Sequence, residues 1–95
     1  MKQPAIYIIA DKTNGTLYTG VTSHLLQRIY QHKEKMIKGF SSKYRCHRLA
    51  YYEIFATMPE AITKEKEMKV GSKKQKLILI VQTNALWKDL YHNLM

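Results

Sequence analysis

Residues 5–21 read AIYIIADKTNGTLYTGV, and the reading of this stretch decides the fold. Its first half, AIYIIAD, is rich in β-branched and aromatic residues and is bounded by Pro4 ahead and Thr13-Asn14-Gly15 behind. Asn and Gly tolerate the positive φ of tight hairpin turns, so strands on either side are expected to pair antiparallel. The return strand is residues 16–21, TLYTGV. Counting outward from the turn's centre sets position 7 opposite position 22. Tyr7 and Tyr18 are then offset by about two pairs, and share a face if the register allows. Gly20 lies two residues beyond Tyr18 on its face and leaves room for something to approach the sheet.

Downstream, the period changes. Thr22 and Ser23 are N-cap candidates, and Leu25, Leu26, Ile29 and Tyr30 follow at helical spacing. His24, Arg28 and His32 stand at i, i+4 and i+8, along one edge of that helix. Basic residues continue to Lys38, and Gly39 ends the section. Residues 40–47 read as a loop, and residues 48–55, RLAYYEIF, as a third strand. Met58-Pro59 reads as a break, residues 60–70 as a second helix, and Gly71-Ser72 as an interruption. Residues 73–83 are read as a third helix, although the apolar run LILIV fits a strand as well. A short helix or turn around Trp87 and Leu90 closes the chain, with Trp87 anchoring it to the core. The fold class is α/β: a small three-stranded antiparallel sheet flanked by helices, one domain over residues 1–95.

The chain of 95 residues carries 16 Lys plus Arg against 7 Asp plus Glu, a formal net charge of +9. That surplus creates a positive field that draws polyanions, nucleic acid first among them. Lys33, Lys35, Lys38, Lys43, Arg45 and Arg48 are the cations expected to grip backbone phosphates. Cys46 is the only cysteine, so no internal disulfide scaffold is available. No stretch approaches the roughly 20 apolar residues of a membrane span. A cytoplasmic protein without membrane association is expected.

Tyr7 and Tyr18, taken singly, read as sheet packing in a chain with seven tyrosines. Their company changes the reading. The ordered set Ala5-Ile6-Tyr7, Tyr18-Thr19-Gly20, Arg28 and His32 resembles the GIY-YIG nuclease superfamily. It is most similar to small single-domain members related to the incision domain of bacterial excision repair. Lys43-Tyr44 and residues 48–53 (RLAYYE) resemble the family's third-strand segment. Ala61-Ile62 with Glu65-Lys66 and Lys69 resembles its metal-site helix. Lys76-Leu77, Leu79-Ile80, Asn84, Trp87 and Asp89-Leu90 resemble the tail of these small members.

The resemblance implies a divalent-metal-dependent endonuclease acting on DNA. Tyr7 and Tyr18 would be the motif tyrosines, one of them a general base toward water. Arg28 would bind the scissile phosphate, His32 would assist proton transfer or hold the phosphate, and Glu65 would bind one Mg²⁺ or Mn²⁺. Residue chemistry agrees. A planar guanidinium can donate two parallel hydrogen bonds to a phosphate and stays charged. Magnesium often takes one or two protein carboxylates and keeps several waters, so one glutamate is sufficient. A tyrosine with a pKa of about 10 is ionised only about once in a thousand at pH 7, so its deprotonation needs help from its surroundings. Helical position separates Glu65 from Glu67. Ala61, Ile62 and Met68 lie at i−4, i−3 and i+3 from Glu65, on the inward stripe. Such a carboxylate needs a partner, either a metal or an inward cation.

The chain departs from the family pattern at Ala5 and Thr19, which stand for Gly and Ile of the motif. It departs again at Gly71 and Ala85. Asn84 is the nearest candidate for the family's further asparagine. The alternative to an enzyme is a catalytically silent basic module that binds nucleic acid, and a protein-interaction adaptor is a third reading. With so little chain outside the catalytic elements, a protein partner is a candidate source of specificity.

Overall fold

The computed structural model describes residues 3–11, 15–34 and 48–94. Within them Ala5–Ala10 forms strand β1, Leu17–Thr22 forms β2 and Arg48–Ile54 forms β3. They make one antiparallel sheet in the order β2-β1-β3. The middle place goes to the most apolar strand. All six β1 residues are buried, and its side chains alternate between two cores. A strand covered on both faces reads as a continuous apolar run, as this one does.

Helices cover both faces: α1 (Leu25–Lys33), α2 (Met58–Val70) and α3 (Lys73–Thr83), with a 3₁₀ turn at Leu90–Leu94. Ala5, Tyr7 and Ile9 pack with Leu25, Ile29 and Leu49, and the tail residues Leu90, Tyr91 and Leu94 close over this cluster. Ile6, Ile8 and Ala10 pack on the other side with Ala61, Met68, Ile80 and Trp87. The pairing of β1 with β3 slips between Ile8 and Ile9, so Ala50 is the extra residue of a bulge. The expected α/β class is found: a three-stranded antiparallel sheet with three helices.

Three local expectations are corrected, and a fourth, the helix over residues 73–83, is met. The hairpin pairs Tyr7 with Gly20, not with position 22. Asp11 and Thr16 close a wider loop: the Thr16 N–H donates to Asp11 Oδ1 (2.8 Å) and the Asp11 N–H to the Thr16 carbonyl (3.3 Å). Thr22 ends β2, and the N-cap of α1 is His24, whose N–H donates to Thr22 Oγ1 at 3.0 Å. Met58-Pro59 does not break the chain but opens α2. Proline is tolerated in a first turn, where its missing N–H would be unsatisfied anyway, and Thr57 caps the Glu60 N–H. The segment that fits strand or helix is helix α3, started by a reciprocal cap between Ser72 and Gln75.

The tail is tied down at Asn84, whose amide donates to the carbonyls of Ala50 (3.1 Å) and Lys88 (2.8 Å), while its oxygen accepts the Lys88 N–H. This tight corner holds buried Trp87 at a φ of 56°, the left-handed region, with its N–H donating to the Asn84 carbonyl. Asp89 then accepts from the backbone N–H groups of Leu49 and Tyr91, both at 3.1 Å, and from Lys33 of α1. Residues 84–91 thereby fix α1 against β3.

Candidate active site

The row His24, Arg28, His32 runs from solvent into the protein. His24 is exposed, Arg28 half-buried, and His32 is buried at 3% exposure. Helical spacing sets the row, and His32 at its inner end is buried against the rings of Tyr7 and Tyr18.

His32 meets both motif tyrosines. Its Nε2 lies 3.0 Å from the Tyr7 hydroxyl, and its ring centroid is 5.6 Å from the rings of both Tyr7 and Tyr18. Tyr18 sits opposite Ile9, two residues from Gly20, so the two tyrosines are diagonal neighbours on one face. The space left by Gly20 is filled from within: a Cβ there would overlap the hydroxyl and ring of Tyr7. Glycine is thus required by the close approach of Tyr7 across the sheet.

Electrostatics around this pair is uneven. Burial pushes the Tyr7 phenol well above its ordinary value. Tyr18 and Glu65 add to the rise, while the Arg28 guanidinium opposes it by charge and hydrogen bond. Burial, followed by the Arg28 charge, pushes His32 down to about 4, so its ring is neutral at pH 7. The result is a neutral phenol and a neutral imidazole in contact beside a permanent cation.

Glu65 occupies the inward position deduced from its spacing. Ala61 and Met68 beside it are buried, Glu67 is exposed, and the Glu65 side chain is 14% exposed. Its carboxylate pairs with half-exposed Lys69, one turn on, at 3.1 Å, and its charge reaches Tyr7. Tyr7, Tyr18, Arg28, His32 and Glu65 are therefore assembled around one locus from β1, β2, α1 and α2.

The expected phosphate-gripping cations divide differently. Lys33 bonds Asp89 and lies 5.0 Å from the Tyr91 ring centroid. An Arg48 Nη1 donates to the Trp87 carbonyl at 3.4 Å. Lys35, Lys38, Lys43 and Arg45 lie outside the described residues, as does Cys46. Sequence reasoning did not find the Lys33–Asp89 pair, because its partners are 56 positions apart and carry no local signal. Among the described residues no three His, Cys, Asp or Glu side chains cluster to hold a metal. Nor is any helix of those residues long and apolar enough to cross a membrane.

Comparison with known proteins shows the family. The sequence profile of the GIY-YIG catalytic domain matches residues 3–77. A UPF0213 protein of Staphylococcus saprophyticus is 36% identical over 80 residues, covering 84% of this chain and 96% of the relative. One from Staphylococcus haemolyticus is 35% identical over the same shares. The solution NMR structure of a UPF0213 protein from Bacillus halodurans superposes with a TM-score of 0.55. It shares 22% identity and covers 94% of this chain and 93% of that one, a likeness of fold. On the profile match and the staphylococcal relatives, the chain belongs to the GIY-YIG nuclease family.

Proposed function

We propose that the protein is a divalent-metal-dependent endonuclease that hydrolyses DNA phosphodiester bonds. The observation that carries this reading is the contact between Tyr7 and neutral His32 beside Arg28, with the Glu65 charge within reach. Arg28 holds the scissile phosphate and offsets the charge that grows on its oxygens. The raised pKa of Tyr7 disfavours a free tyrosinate, so the pair acts as a relay. As water attacks phosphorus, its proton passes to the Tyr7 oxygen while the Tyr7 proton passes to His32 Nε2. Tyr18, half-buried on the other side of His32, holds the ring in line. The P–O bond to the leaving strand breaks, and the released oxygen is protonated from solvent.

Glu65 fits a hard divalent ion by donor chemistry, a partly buried carboxylate whose present partner, Lys69, is half-exposed and can swing away. Mg²⁺ or Mn²⁺ held there would supply positive charge to the phosphate. No multi-ligand protein cage accompanies it among the described residues, which suits an ion that keeps much of its water. The excess of cations supplies the field that gathers a polyanion, and a cytoplasmic setting and a role in DNA repair follow as part of this proposal.

The test is a cleavage assay with labelled single-stranded, duplex and branched DNA in Mg²⁺, Mn²⁺ or EDTA. Wild type is expected to cut, with EDTA and Glu65→Ala each abolishing the cut while binding persists. Equal DNA binding by both proteins with no cleavage of any substrate would replace the enzyme by a basic binding module.

A further inference from the structure

The outermost member of the α1 row has no part in the relay just described. His24 is exposed, and its carbonyl accepts the Arg28 N–H at 2.9 Å, so the two side chains leave the helix one turn apart on one face. Both line a cleft of about 250 Å³, together with Thr22, Ser23, Gln27 and Gln31. The cleft shares Arg28 with the locus at Tyr7. Apart from Val21 and Met58, its walls are amide, hydroxyl, imidazole and guanidinium groups, without a carboxylate among them.

The imidazole is also held in a definite orientation. His24 Nδ1 lies 2.9 Å from Ser23 Oγ, and the neighbouring backbone N–H is fixed on Thr22 Oγ1. In the tautomer where the Ser23 hydroxyl donates to Nδ1, the ring proton resides on Nε2. That nitrogen then donates in the neutral ring and in the cationic one alike. An oriented donor, one helical turn of about 5.4 Å from Arg28, matches the scale of the step between neighbouring phosphates along a strand.

We propose that this cleft is a subsite for the DNA phosphate adjacent to the scissile one, with His24 donating to it from Nε2 and Gln31 lining its far wall. The assignment rests on Arg28 holding the scissile phosphate. Its consequence is register. With two consecutive phosphates fixed, the strand lies along α1 and the reacting phosphorus is set against Tyr7. His24 is a binding residue in this role and takes no proton.

The experiment is binding by fluorescence anisotropy in EDTA, with a labelled strand in which single phosphates are replaced in turn by neutral methylphosphonate. His24→Ala is expected to weaken binding of unmodified DNA about tenfold, the scale of one charge-assisted hydrogen bond. It should lose sensitivity to methylphosphonate at one position only. Arg28→Ala should lose sensitivity at the immediately neighbouring position, and the two couplings are read as double-mutant cycles. His24→Asn, which restores a donor, should recover part of the affinity. Lys74→Ala, which removes a charge on α3 outside the cleft, should leave the scan pattern of wild type intact. His24 is exposed, so its variant should melt like wild type, which excludes unfolding as the cause. If His24→Ala keeps wild-type sensitivity at every phosphate, or loses it at one remote from the Arg28 position, the subsite is wrong while the nuclease reading stands. If wild type binds no DNA at all, both fall together.

Discussion

The two faces of β1 contribute three side chains each and exclude water equally well, yet they are held together by different physics. Toward α2 and α3, Ile6, Ile8 and Ala10 meet Ala61, Met68 and Ile80 in contacts that depend on volume and hardly on angle. Toward α1, Tyr7 meets His32 at 3.0 Å, with Arg28 beside it and Tyr18 across the ring. Those contacts depend on distance and direction, and each buried polar atom needs its partner. One strand thus carries an anchoring face and a chemical face. The separation lets the anchoring face supply apolar packing, while α2 also carries Glu65 to the locus.

The largest expected effects come from breaking the two faces in turn. On the chemical face, Tyr7→Phe should lower cleavage by about 10²–10⁴-fold, the usual contribution of a positioned proton-transfer group. It should cost only about 1–3 kcal/mol of stability, for the hydrogen bond it leaves unmade at His32. Ile80→Ala, in the opposite core at 0% exposure, should reverse the pattern. It is expected to cost about 2–5 kcal/mol by the cavity it opens. Activity per folded molecule should remain near wild type. Chemical denaturation and cleavage rates on the same preparations check both halves. Equal activity loss in the two variants would mean that the faces are not separable.

A smaller effect sharpens the comparison through pH. Burial and Arg28 hold His32 at about 4, against an ordinary value of 6.5. A depressed value means that the unfolded chain binds the extra proton first. The stabilising contribution of neutral His32 is therefore complete above about pH 6.5 and is lost as pH falls toward 4. Its size is on the order of 3 kcal/mol for a shift of this extent. Thermal melts from pH 7 to pH 4.5 should fall in wild type and flatten in His32→Gln. Asp89 acts in a lower window. Burial raises its carboxyl, but the hydrogen bonds from Lys33, Tyr91 and Leu49 outweigh that and hold it below its usual 3.8. Its contribution is present above 3.8 and is lost only under stronger acid. A slope that persists unchanged in His32→Gln would assign the effect to another group.

The same division explains what the sequence made legible. Strand periodicity, the turn residues and the i, i+4, i+8 row are local signals, and they located the sheet, α1 and the inward position of Glu65 from spacing alone. The register was not legible, because it follows the Asp11–Thr16 closure, and those two residues carry no turn signal in the sequence. Pro59 misled for a related reason: the residue that ends a helix in its middle also starts one in its first turn. The tether from Asp89 to Lys33 and the left-handed backbone at Trp87 arise from contacts between distant segments, so no window of sequence contains them. Gly20 reads as room for something to approach the sheet, and the group that approaches is Tyr7, a residue already in the motif.

The smallest expected effect lies where the anchoring face departs from its own rule. Thr19 sits opposite Ile8, so it points toward α2 and α3, and it is buried at 5% exposure. Its Oγ1 has no hydrogen-bond partner among the described residues. Tyr51, on the same face, contrasts with it by donating to Glu53 at 3.1 Å. A buried hydroxyl without a partner costs about 1–3 kcal/mol of desolvation, and a methyl of nearly the same volume removes that cost. Thr19→Val should therefore stabilise the protein by up to about 1 kcal/mol, raising the melting temperature by a few degrees at this chain length. Cleavage should be unchanged, because the substitution lies on the face turned away from His32. A melt displaced downward would show that the hydroxyl has found a partner. A loss of activity without a change in melting would show that the two faces communicate through β2.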